Sequence, residues 1–593
     1  MMFTRCALTL FALLAALHLG EEPSAAADAV TAYEMNRVVP FEFDGDLRDL
    51  PQFPLNKAAV RRPYRPRLTP PQNVKLGAPA KEPDFSEALI PLAPMPSPTQ
   101  DFAGLSNTDL CDGGQCGAGW PPDPNGDVGL NHYIMAVNSA YGIYSKTGTL
   151  LTSFTEDQLW SAGGSNPCNG NSQGDPIVLY DPIADRWILT HFAFAIDTFD
   201  NPISPFYQCI AASKTSDPVS GGWWLFPVRM DPGGTGRPPV GAFNDYGKFG
   251  IWTDCLYGAF NEFQAPRYNF SGTAFASFSR SDLYSGAPLT MALGFLNSSG
   301  PFTMIPSNLR GNVASQLPPS STPNYFVSES QTAFAFEVRK FTAGPNCGSG
   351  GTLSAPQIVT QTSYPSPASD IIVPQPGTTN KLDTLLDRLM QKVQYRKVGS
   401  AESLWVVHTV LFPTLNSPTT LQWAQLDVSG GVVATTPVQQ QIYAPDTTLY
   451  RWMPSLAVDN QGNMALGYST SDGTSNFPSI AYSGRLASDP LNTLPQSEVQ
   501  LIAGSGSQTN NCGGAPCDRW GDYSAMSVDP SDDCTFWYIN QYYSSVANGA
   551  TGNWQTRVGS FMFPSCTPTI DNLDTVIDSG PTAASGGATN STT

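Results

Sequence analysis

One kind of turn recurs along this chain between short apolar segments. In the clearest copy, Asp459 and Gly462 occupy the first and fourth positions, as a type I turn prefers. Two further copies place a proline directly after the aspartate, where its fixed φ favours the second turn position. Each copy should join two antiparallel strands. The three turn segments are Val458–Asn463, Tyr180–Trp187 and Val528–Asp533.

The segments between such turns are short and rich in Val, Ile, Tyr, Phe and Trp, and clusters of Gly, Pro, Asn, Asp and Ser separate them. This pattern is typical of β-strands and predicts an all-β fold. Helical spacing occurs at Lys381–Lys392, where Leu and Met recur every three or four residues. We expect one short helical insertion there.

Two of the turn units also share the sequence before the turn. Arg451-Trp452 precedes one and Arg519-Trp520 precedes the other. Repetition of one supersecondary unit predicts a β-propeller of about seven blades, with six or eight also possible. A β-sandwich followed by a second β-domain is the alternative, but it does not account for the repeated turn. The candidate units lie near Asp127, Asp175, Asp245, Tyr325, Arg396, Arg451 and Arg519.

Composition divides the chain into four parts. Residues 1–27 have a basic start, an apolar stretch and a small-residue end, which predicts a secretory signal peptide. Residues 28–100 are rich in proline and are expected to be a lead-in or pro-segment. Residues 101–566 are assigned to the propeller. Residues 567–593 are rich in Thr, Ser and Gly and are expected to be disordered.

Cysteine usage agrees with export. Eleven cysteines occur, and ten remain once Cys6 in the signal is set aside, an even number that favours disulfides in an exported chain. The first pairings to test are Cys111–Cys116 and Cys512–Cys517, because each pair flanks a short Gly-containing segment. A zinc site is the alternative, although the spacing differs from C-x-x-C knuckles and the chain has 4 histidines.

Charge and hydropathy limit the partners. The net charge of -19 argues against nucleic acid. No run after the signal approaches the roughly 18 apolar residues of a spanning helix, so no membrane span is expected. We expect a secreted protein, extracellular or periplasmic.

Five long segments resemble a group of uncharacterised secreted bacterial proteins with sialidase-like propellers. The likeness spans Trp120–Phe563 and implies the propeller fold, while the group has no established activity. Against true sialidases, Ser527-Val528-Asp529 resembles the start of their structural Asp-box, but the turn that follows is longer. The segments are PPDPNGDVGLNHYIMAVN, GDPIVLYDPIADRWILTHF, NDYGKFGIWTDCLYGAFNEF, YRWMPSLAVDNQGNMALGYS and RWGDYSAMSVDPSDDCTFWY.

Three arginines precede predicted strands in consecutive units: Arg396, Arg451 and Arg519. Three guanidinium groups together would clamp a carboxylate, as the arginine triad of a sialidase holds its acidic sugar. The same resemblance implies a tyrosine nucleophile assisted by a carboxylate, for which Tyr523 and Asp522 are the local candidates. The alternative is that the arginines pair with acidic turns or stack on tryptophans as struts between blades.

Acidic residues form a second set of candidates, in loops before strands. Gathered at one channel mouth, they would bind calcium or supply an acid and a base. The segment Asp123–Asp127 is rich in oxygen ligands, so Asp123, Asn125 and Asp127 are the candidate calcium ligands, with turn capping as the alternative. No cofactor is required by the sequence, and calcium is possible. The acidic set is Asp127, Asp175, Asp245 and Asp522.

The three histidines outside the signal, His132, His191 and His408, lie in strand-like segments. Buried histidines with satisfied hydrogen bonds are expected there, and no Ser-His-Asp arrangement follows from them.

These patterns together predict a secreted propeller that binds or processes extracellular glycans at its channel mouth. As an enzyme, it would be a sialidase-like glycoside hydrolase. The alternative is a non-enzymatic adhesion or scaffold propeller that binds a protein or a cell-surface polymer.

Overall fold

The computed structural model describes residues 29–50, 93–107, 121–198, 201–311, 313–367, 369–509, 511–512, 515–544 and 554–569. The expected signal peptide, most of the expected tail, and Cys111 and Cys116 lie outside these residues. The described residues are mostly β-structure, so the all-β class that the sequence predicts is confirmed.

Five short strands come first in the chain. They are β1 (Val30–Thr31), β2 (Tyr33–Glu34), β3 (Phe41–Phe43), β4 (Ala93–Pro94) and β5 (Gln100–Ala103). Each pairs with the last strand of a sheet that forms later in the chain. The described parts of the Pro-rich segment are thus joined to the sheets.

Seven antiparallel sheets then follow one another. The first three are β6 (Asn125–Val128), β7 (His132–Val137), β8 (Ala140–Ser145) and β9 (Leu150–Thr155); β10 (Ser172–Asp181), β11 (Arg186–Ile196), β12 (Pro202–Ser213) and β13 (Trp223–Arg229); and β14 (Ala242–Ile251), β15 (Cys255–Gln264), β16 (Asn269–Ser279) and β17 (Met291–Asn297). β3 extends the second of these sheets and β2 the third.

The fourth and fifth sheets are joined to each other. They are β18 (Ile305–Leu309), β19 (Asn324–Glu329), β20 (Ala335–Thr342) and β21 (Thr352–Leu353), with β22 (Gln357–Thr360) on β20; and, after the ribbon β23 (Ile371–Val373) and β24 (Leu382–Asp383), β25 (Val393–Val398), β26 (Ala401–Leu411), β27 (Thr419–Asp427) and β28 (Gln439–Tyr443). The junction is a parallel pairing of β18 with β25, and β1 completes the fourth sheet.

The sixth and seventh sheets end the series. They are β29 (Tyr450–Val458), β30 (Met464–Ser471), β31 (Ser479–Arg485) and β32 (Gln496–Ile502); and, after the ribbon β33 (Asn511–Cys512) and β34 (Ala515–Pro516), β35 (Ala525–Val528), β36 (Phe536–Tyr543) and β37 (Trp554–Phe561). β4 lies beside β32, and β5 supplies the fourth strand of the seventh sheet.

The first strands of the seven sheets contact one another in chain order. The contacts run from β6 through β10, β14, β18, β25 and β29 to β35, and β35 also contacts β6. These strands are buried on both faces, as in β6 and β18. Side chains near their ends from distant parts of the chain therefore meet.

The repeated turn joins antiparallel strands, as predicted. Asp181 and Asp459 each accept backbone N–H bonds from the residues that follow in their turns. These turns connect β10 with β11 and β29 with β30, and the turn after Val528 connects β35 with β36. The aspartates stabilise the turns by capping, which is why the pattern recurs.

The predicted helix at Lys381–Lys392 is wrong. This segment contains β24 and irregular backbone, and Leu385 has a left-handed φ of 46°. Leu382, Leu389 and Met390 are at most 1% exposed, so the apolar spacing reflects burial on several sides. The helices in the described residues are α1 (Glu156–Ala162) and α2 (Arg280–Ser285), with short 3-10 helices at Leu47–Asp49, Ala314–Gln316, Pro345–Cys347 and Ser429–Gly431.

Three disulfides connect described residues: Cys168–Cys209, Cys255–Cys347 and Cys534–Cys566. Cys517 is also disulfide-bonded, whereas the side chain of Cys512 lies outside the described part of the chain. Disulfides persist in oxidising compartments, so these bonds agree with the expected export. Within the described ranges, no helix is long and apolar enough to cross a membrane.

Candidate functional site

Four aspartates lie where first strands begin. Asp123 and Asp522 lie in the segments just before β6 and β35, and Asp175 and Asp245 lie near the starts of β10 and β14. Both β10 and β14 carry a bulge at this point. Asp123, Asp175 and Tyr246 have positive φ values of 47°, 54° and 53°, a conformation that non-glycine residues seldom adopt and that is found at functional sites.

A chain of hydrogen bonds connects these starts. Asp123 Oδ1 accepts a bond from the Asp522 backbone N–H at 2.7 Å, and Asp123 Oδ2 accepts one from Asn138 Nδ2 at 2.9 Å. Asn138 Oδ1 in turn accepts the Asp175 N–H at 2.8 Å. Asp175 Oδ2 accepts the Tyr246 N–H at 3.2 Å. Four sheets thus position one set of side chains, which we call the acidic cluster: Asp123, Asp175, Asp245 and Asp522.

Three cations lie among these carboxylates. Lys248 Nζ lies 3.4 Å from the ring centroid of Tyr246 and 4.2 Å from that of Tyr523. Arg388 lies over the Tyr246 ring at 4.8 Å. Arg519 forms an ion pair with Asp522. Cation–π contacts of this kind hold buried charges in place.

Burial and like charge raise the pKa values of three cluster carboxyls. Burial, together with Asp245 and Asp522, raises the pKa of Asp175 to about 8. Burial and the charge of Asp522 raise the pKa of Asp245. Burial, Asp522 and Asp175 raise the pKa of Asp123 well above its usual range. Carboxyls that stay protonated near neutral pH can act as general acids.

The pKa of Lys248 is shifted in the opposite direction. Burial lowers its pKa to about 8, and the attraction of Asp175 and Asp522 offsets part of that effect. Asp175 and Lys248 thus lie in one cluster with pKa values of about 8 each.

The cluster opens towards solvent on one side. Asp175 and Asp245 are half-buried, whereas Asp123 is 2% exposed and Asp522 8%. A ligand would therefore reach Asp175 and Asp245 first. Asp123 is buried and is connected to Asp175 through Asn138.

Tyr523 lies in the cluster but is fully buried. Its hydroxyl donates to the Pro176 carbonyl at 3.2 Å. Burial and the neighbouring Asp175, Asp123 and Asp522 raise its pKa well above the usual value, so it is held as a neutral phenol. A neutral phenol is a poor nucleophile, so this environment disfavours the nucleophilic role that the sialidase resemblance implies for Tyr523.

The three arginines do not share partners. Arg396 pairs with Asp533, which belongs to the turn after β35. Arg451 bonds Asp446 at 2.7 Å and Glu498 at 2.9 Å. Of the three, Arg519 alone pairs with a member of the acidic cluster. The structure therefore places them in three ion-pair networks, in line with the strut interpretation.

The three candidate calcium ligands also bond to different partners. Asp123 bonds within the cluster, Asn125 Oδ1 accepts the Val178 N–H at 2.9 Å, and Asp127 pairs with Arg310 and Lys392. No group of three or more His, Cys, Asp or Glu side chains in the described residues is arranged to hold a metal ion.

Sequence reasoning missed Tyr246, Lys248, Arg388 and Asn138. A signal for Tyr246 exists, since Asp245-Tyr246, near the start of β14, repeats the dipeptide Asp522-Tyr523. Arg388 lies in the segment mistaken for a helix. Nothing in the sequence around Asn138 marks its bridging role.

Two of the three histidines are buried, whereas His132, which was expected to be buried, is only half-buried. His191 contacts Tyr141 Oη at 3.3 Å and Ser172 Oγ at 3.1 Å, and it is 1% exposed. His408 forms an ion pair with Glu329 and contacts Gln361 and Gln422. Both are buried and bonded as predicted from their strand-like segments.

No protein-family model matches the chain, and no curated protein matches it. Among solved structures, it is similar to a protein of unknown function from Dyadobacter fermentans, with a TM-score of 0.33 and 10% identity over 79% of this chain and 99% of that one.

It is also similar to Trypanosoma rangeli sialidase in complex with sialic acid, with a TM-score of 0.30 and 8% identity over 71% of this chain and 57% of the sialidase. The GH93 α-L-arabinofuranosidase of Fusarium graminearum gives a TM-score of 0.24 and 9% identity over 65% of this chain and 93% of that enzyme. Likenesses this low assign neither a family nor an activity to this chain.

Proposed function

We propose that this chain is an exported, seven-bladed β-propeller that hydrolyses extracellular glycans at the acidic cluster. The observation that carries the proposal is the convergence of Asp123, Asp175, Asp245 and Asp522 from four sheets, with three cations among them. Acids whose pKa values are shifted by burial and like charge are typical of catalytic sites.

The propeller is supported by the order of the sheets. Each of the seven sheets is a meander, and the contacts between first strands return from β35 to β6. In a propeller, such strands surround a central axis. The N-terminal β5 would then close the ring by completing the last blade, beside β37.

Asp175 is the proposed general acid. It is half-buried, and its raised pKa keeps it protonated at neutral pH. Glycosidic oxygens leave poorly unless a proton reaches them, and a carboxylic acid in such an environment supplies it. The proton would pass from Asp175 to the leaving oxygen as the C–O bond breaks.

Asp522 is the proposed second carboxylate. It forms an ion pair with Arg519, and its backbone N–H is held by Asp123. A carboxylate there would stabilise the positive charge that develops on the sugar ring, or would activate the attacking water. Asp245, paired electrostatically with Arg388, lines the open side.

The partners of the cations favour an uncharged sugar. Arg519 is engaged by Asp522, and Lys248 lies between carboxylates and aromatic rings. A sugar carboxylate would not meet an arginine triad there, because Arg396 and Arg451 pair with carboxylates outside the cluster. We therefore replace the acid-sugar version of the sialidase-like hypothesis with hydrolysis of uncharged glycans.

The test is to incubate the exported chain with neutral, amino and acidic glycans and to measure released sugars by mass spectrometry. Asp175→Asn and Asp522→Asn should each reduce release by about 10²-fold or more. Release by the wild type should fall as pH rises through about 8, where Asp175 loses its proton. Asp44→Asn is the control, because Asp44 is exposed and lies in a separate ion pair with Lys214.

The result that would overturn the proposal is unchanged release by both variants. Absence of release from every glycan at all pH values tested would also reject hydrolysis. Saturable glycan or protein binding without product would then favour the adhesion or scaffold alternative.

A further inference from the structure

A short turn in the first sheet contacts the start of the second sheet. Asn138 and Ser139 connect β7 with β8, and Ser139 has a left-handed φ of 78°. The Asn138 N–H donates to the Pro122 carbonyl at 2.7 Å, and the Ser139 carbonyl accepts the Glu156 N–H at 3.1 Å. The backbone of this turn is therefore tied to the segment before β6 and to the start of α1.

The side-chain amide of Asn138 is bonded at both ends. Its Oδ1 accepts the Asp175 N–H at 2.8 Å, and its Nδ2 donates to the Pro121 carbonyl at 2.6 Å and to Asp123 Oδ2 at 2.9 Å. An amide supplies one acceptor oxygen and two N–H donors, so these three bonds fix which end of the side chain faces Asp175. An ionised aspartate of the same size lacks the two donors, and a leucine could form none of the three bonds.

Gly174 lets this amide approach the backbone of Asp175. A Cβ atom at Gly174 would lie 2.6 Å from Asn138 Oδ1, closer than the two atoms can pack, and Gly174 has a φ of 114° that favours glycine. Asp175 itself has a φ of 54°. A non-glycine residue keeps such a conformation only where its surroundings hold it, and the hydrogen bond to Asn138 holds the N–H of this residue.

Asp175 is thus fixed at two points. Asn138, from the first sheet, binds its N–H, and the Tyr246 N–H, from the third sheet, donates to its Oδ2 at 3.2 Å. The first bond orients the backbone and the second orients the carboxyl. Without Asn138, Asp175 could relax from its left-handed conformation. Its half-buried carboxyl could then turn to solvent, away from Asp245 and Asp522.

We propose that Asn138 is a positioning residue, which holds the Asp175 carboxyl inside the acidic cluster where it acts as the general acid. This role rests on the proposed function of Asp175 in hydrolysis, whereas the position of the carboxyl can be measured without any substrate. Asn138 acts through the backbone of Asp175.

The first measurement is the pH profile of sugar release by the full chain carrying Asn138→Ala. Release at neutral pH should fall by about 10²-fold, as expected when a reacting group is misplaced by about 1 Å. The pH above which release declines should also move down from about 8 by about one unit or more. The reason is that a carboxyl in contact with solvent has a pKa of about 4.

Asn166→Ala is the matched control. The Asn166 amide likewise donates to two backbone carbonyls and accepts from backbone N–H groups, all between residues 160 and 169. Its removal should lower the melting temperature without changing the rate or the pH profile of release. A loss of stability alone is thereby separated from the positioning of Asp175.

The second measurement needs no hydrolysis. In the wild-type background, the effect of Asp175→Asn on the melting temperature should vary from about pH 6 to about pH 9, because Asp175 titrates near 8. In the Asn138→Ala background, the same effect should be constant over this range, because a solvent-exposed carboxyl is already ionised. In the Asn166→Ala background, it should still vary with pH.

Gly174→Ala reaches the same hydrogen bond from the other side, because the added Cβ would displace Asn138 Oδ1. It should move the pH profile in the same direction and remove the same pH dependence of melting. This variant takes the place of Asn138→Ala if that chain does not fold.

A folded Asn138→Ala chain with the wild-type pH profile would refute the positioning role. Reduced release with an unchanged pH dependence of the Asp175→Asn effect would refute it as well, since Asn138 would then serve stability alone. If no chain releases sugar, a pH dependence that disappears with Asn138→Ala still supports the positioning of Asp175, and only the hydrolysis is rejected.

Discussion

Asp123 Oδ1 accepts the backbone N–H of Asp522 at 2.7 Å, although 399 positions separate the two residues in the chain. The bond joins the start of the first sheet to the start of the last. Because Asp123 also binds Asn138, it connects the last sheet to the network that holds Asp175. The acidic cluster can therefore form only when both ends of the sheet series have come together.

Removal of the Asp123 carboxyl should destabilise the fold. Asp123→Ala leaves the Asp522 N–H and Asn138 Nδ2 without their acceptor in a buried place, which should cost about 2 kcal/mol or more in unfolding free energy. Chemical denaturation followed by tryptophan fluorescence measures this loss. Asp44→Asn should leave the transition unchanged, and an equally stable Asp123→Ala variant would contradict the bridging role.

The raised pKa of Asp175 predicts how stability depends on pH. A carboxyl whose pKa is about 8 when folded and near 4 when unfolded binds more protons in the folded state between these values. Its contribution to stability is full below about pH 4 and is lost as pH rises through about 8. Lys248, with its pKa lowered to about 8, acts in the opposite direction above that pH.

Asp175→Asn should therefore unfold at a higher temperature than the wild type above pH 8, and the difference should shrink towards pH 5. Asparagine keeps the acceptor for the Tyr246 N–H and tolerates the left-handed φ of 54° at this position. Melting curves of both proteins across this pH range provide the measurement. A difference that is constant with pH would show that Asp175 does not titrate in this window.

The sequence could predict the turns and three members of the acidic cluster, because both depend on local patterns, whereas Asp127, the fourth expected member, pairs with Arg310 and Lys392. An Asp-Pro or Asp-x-x-Gly turn requires only neighbours in the chain, and Asp175, Asp245 and Asp522 each precede or open a first strand. The arginines could not be placed in this way. Arg396 is the fourth residue of β25, and its side chain reaches the turn of Asp533.

The burial of its apolar residues explains why the helix predicted at Lys381–Lys392 is wrong. Leu382, Leu385 and Leu389 recur at helical spacing, but they are buried in different surroundings of one irregular segment. The spacing of apolar residues indicates that they are buried, but it does not indicate which elements cover them. The arrangement of Arg388 beside Tyr246 depends on this segment, so it could not be foreseen either.

Metal removal should not change stability. Asp123, Asn125 and Asp127, the candidate calcium ligands, bind three different sets of protein groups. Excess chelator should therefore leave the melting temperature unchanged, and added calcium should not raise it. A fall in melting temperature on chelation that calcium reverses would restore the calcium hypothesis.

The last sheet takes its fourth strand from the N-terminal part of the chain. β5 pairs with β37, Arg557 Nε bonds Asp101 Oδ1 at 2.5 Å, and Thr556 Oγ1 donates to the Leu105 carbonyl at 2.6 Å. Leu105 is 3% exposed and lies in the largest buried cluster. A pro-segment that is removed after export would not be built into the sheets in this way.

We therefore expect residues 93–107 to be retained in the mature protein and to be necessary for folding. A chain that begins at residue 29 should fold, whereas one that begins at residue 108 should lack a cooperative melting transition, because the edge of β37 and its apolar contacts become exposed. Leu105→Ala should fold but lose about 2–5 kcal/mol of unfolding free energy. N-terminal sequencing of the secreted protein gives an independent check, since a mature chain starting after residue 107 would contradict this role of β5.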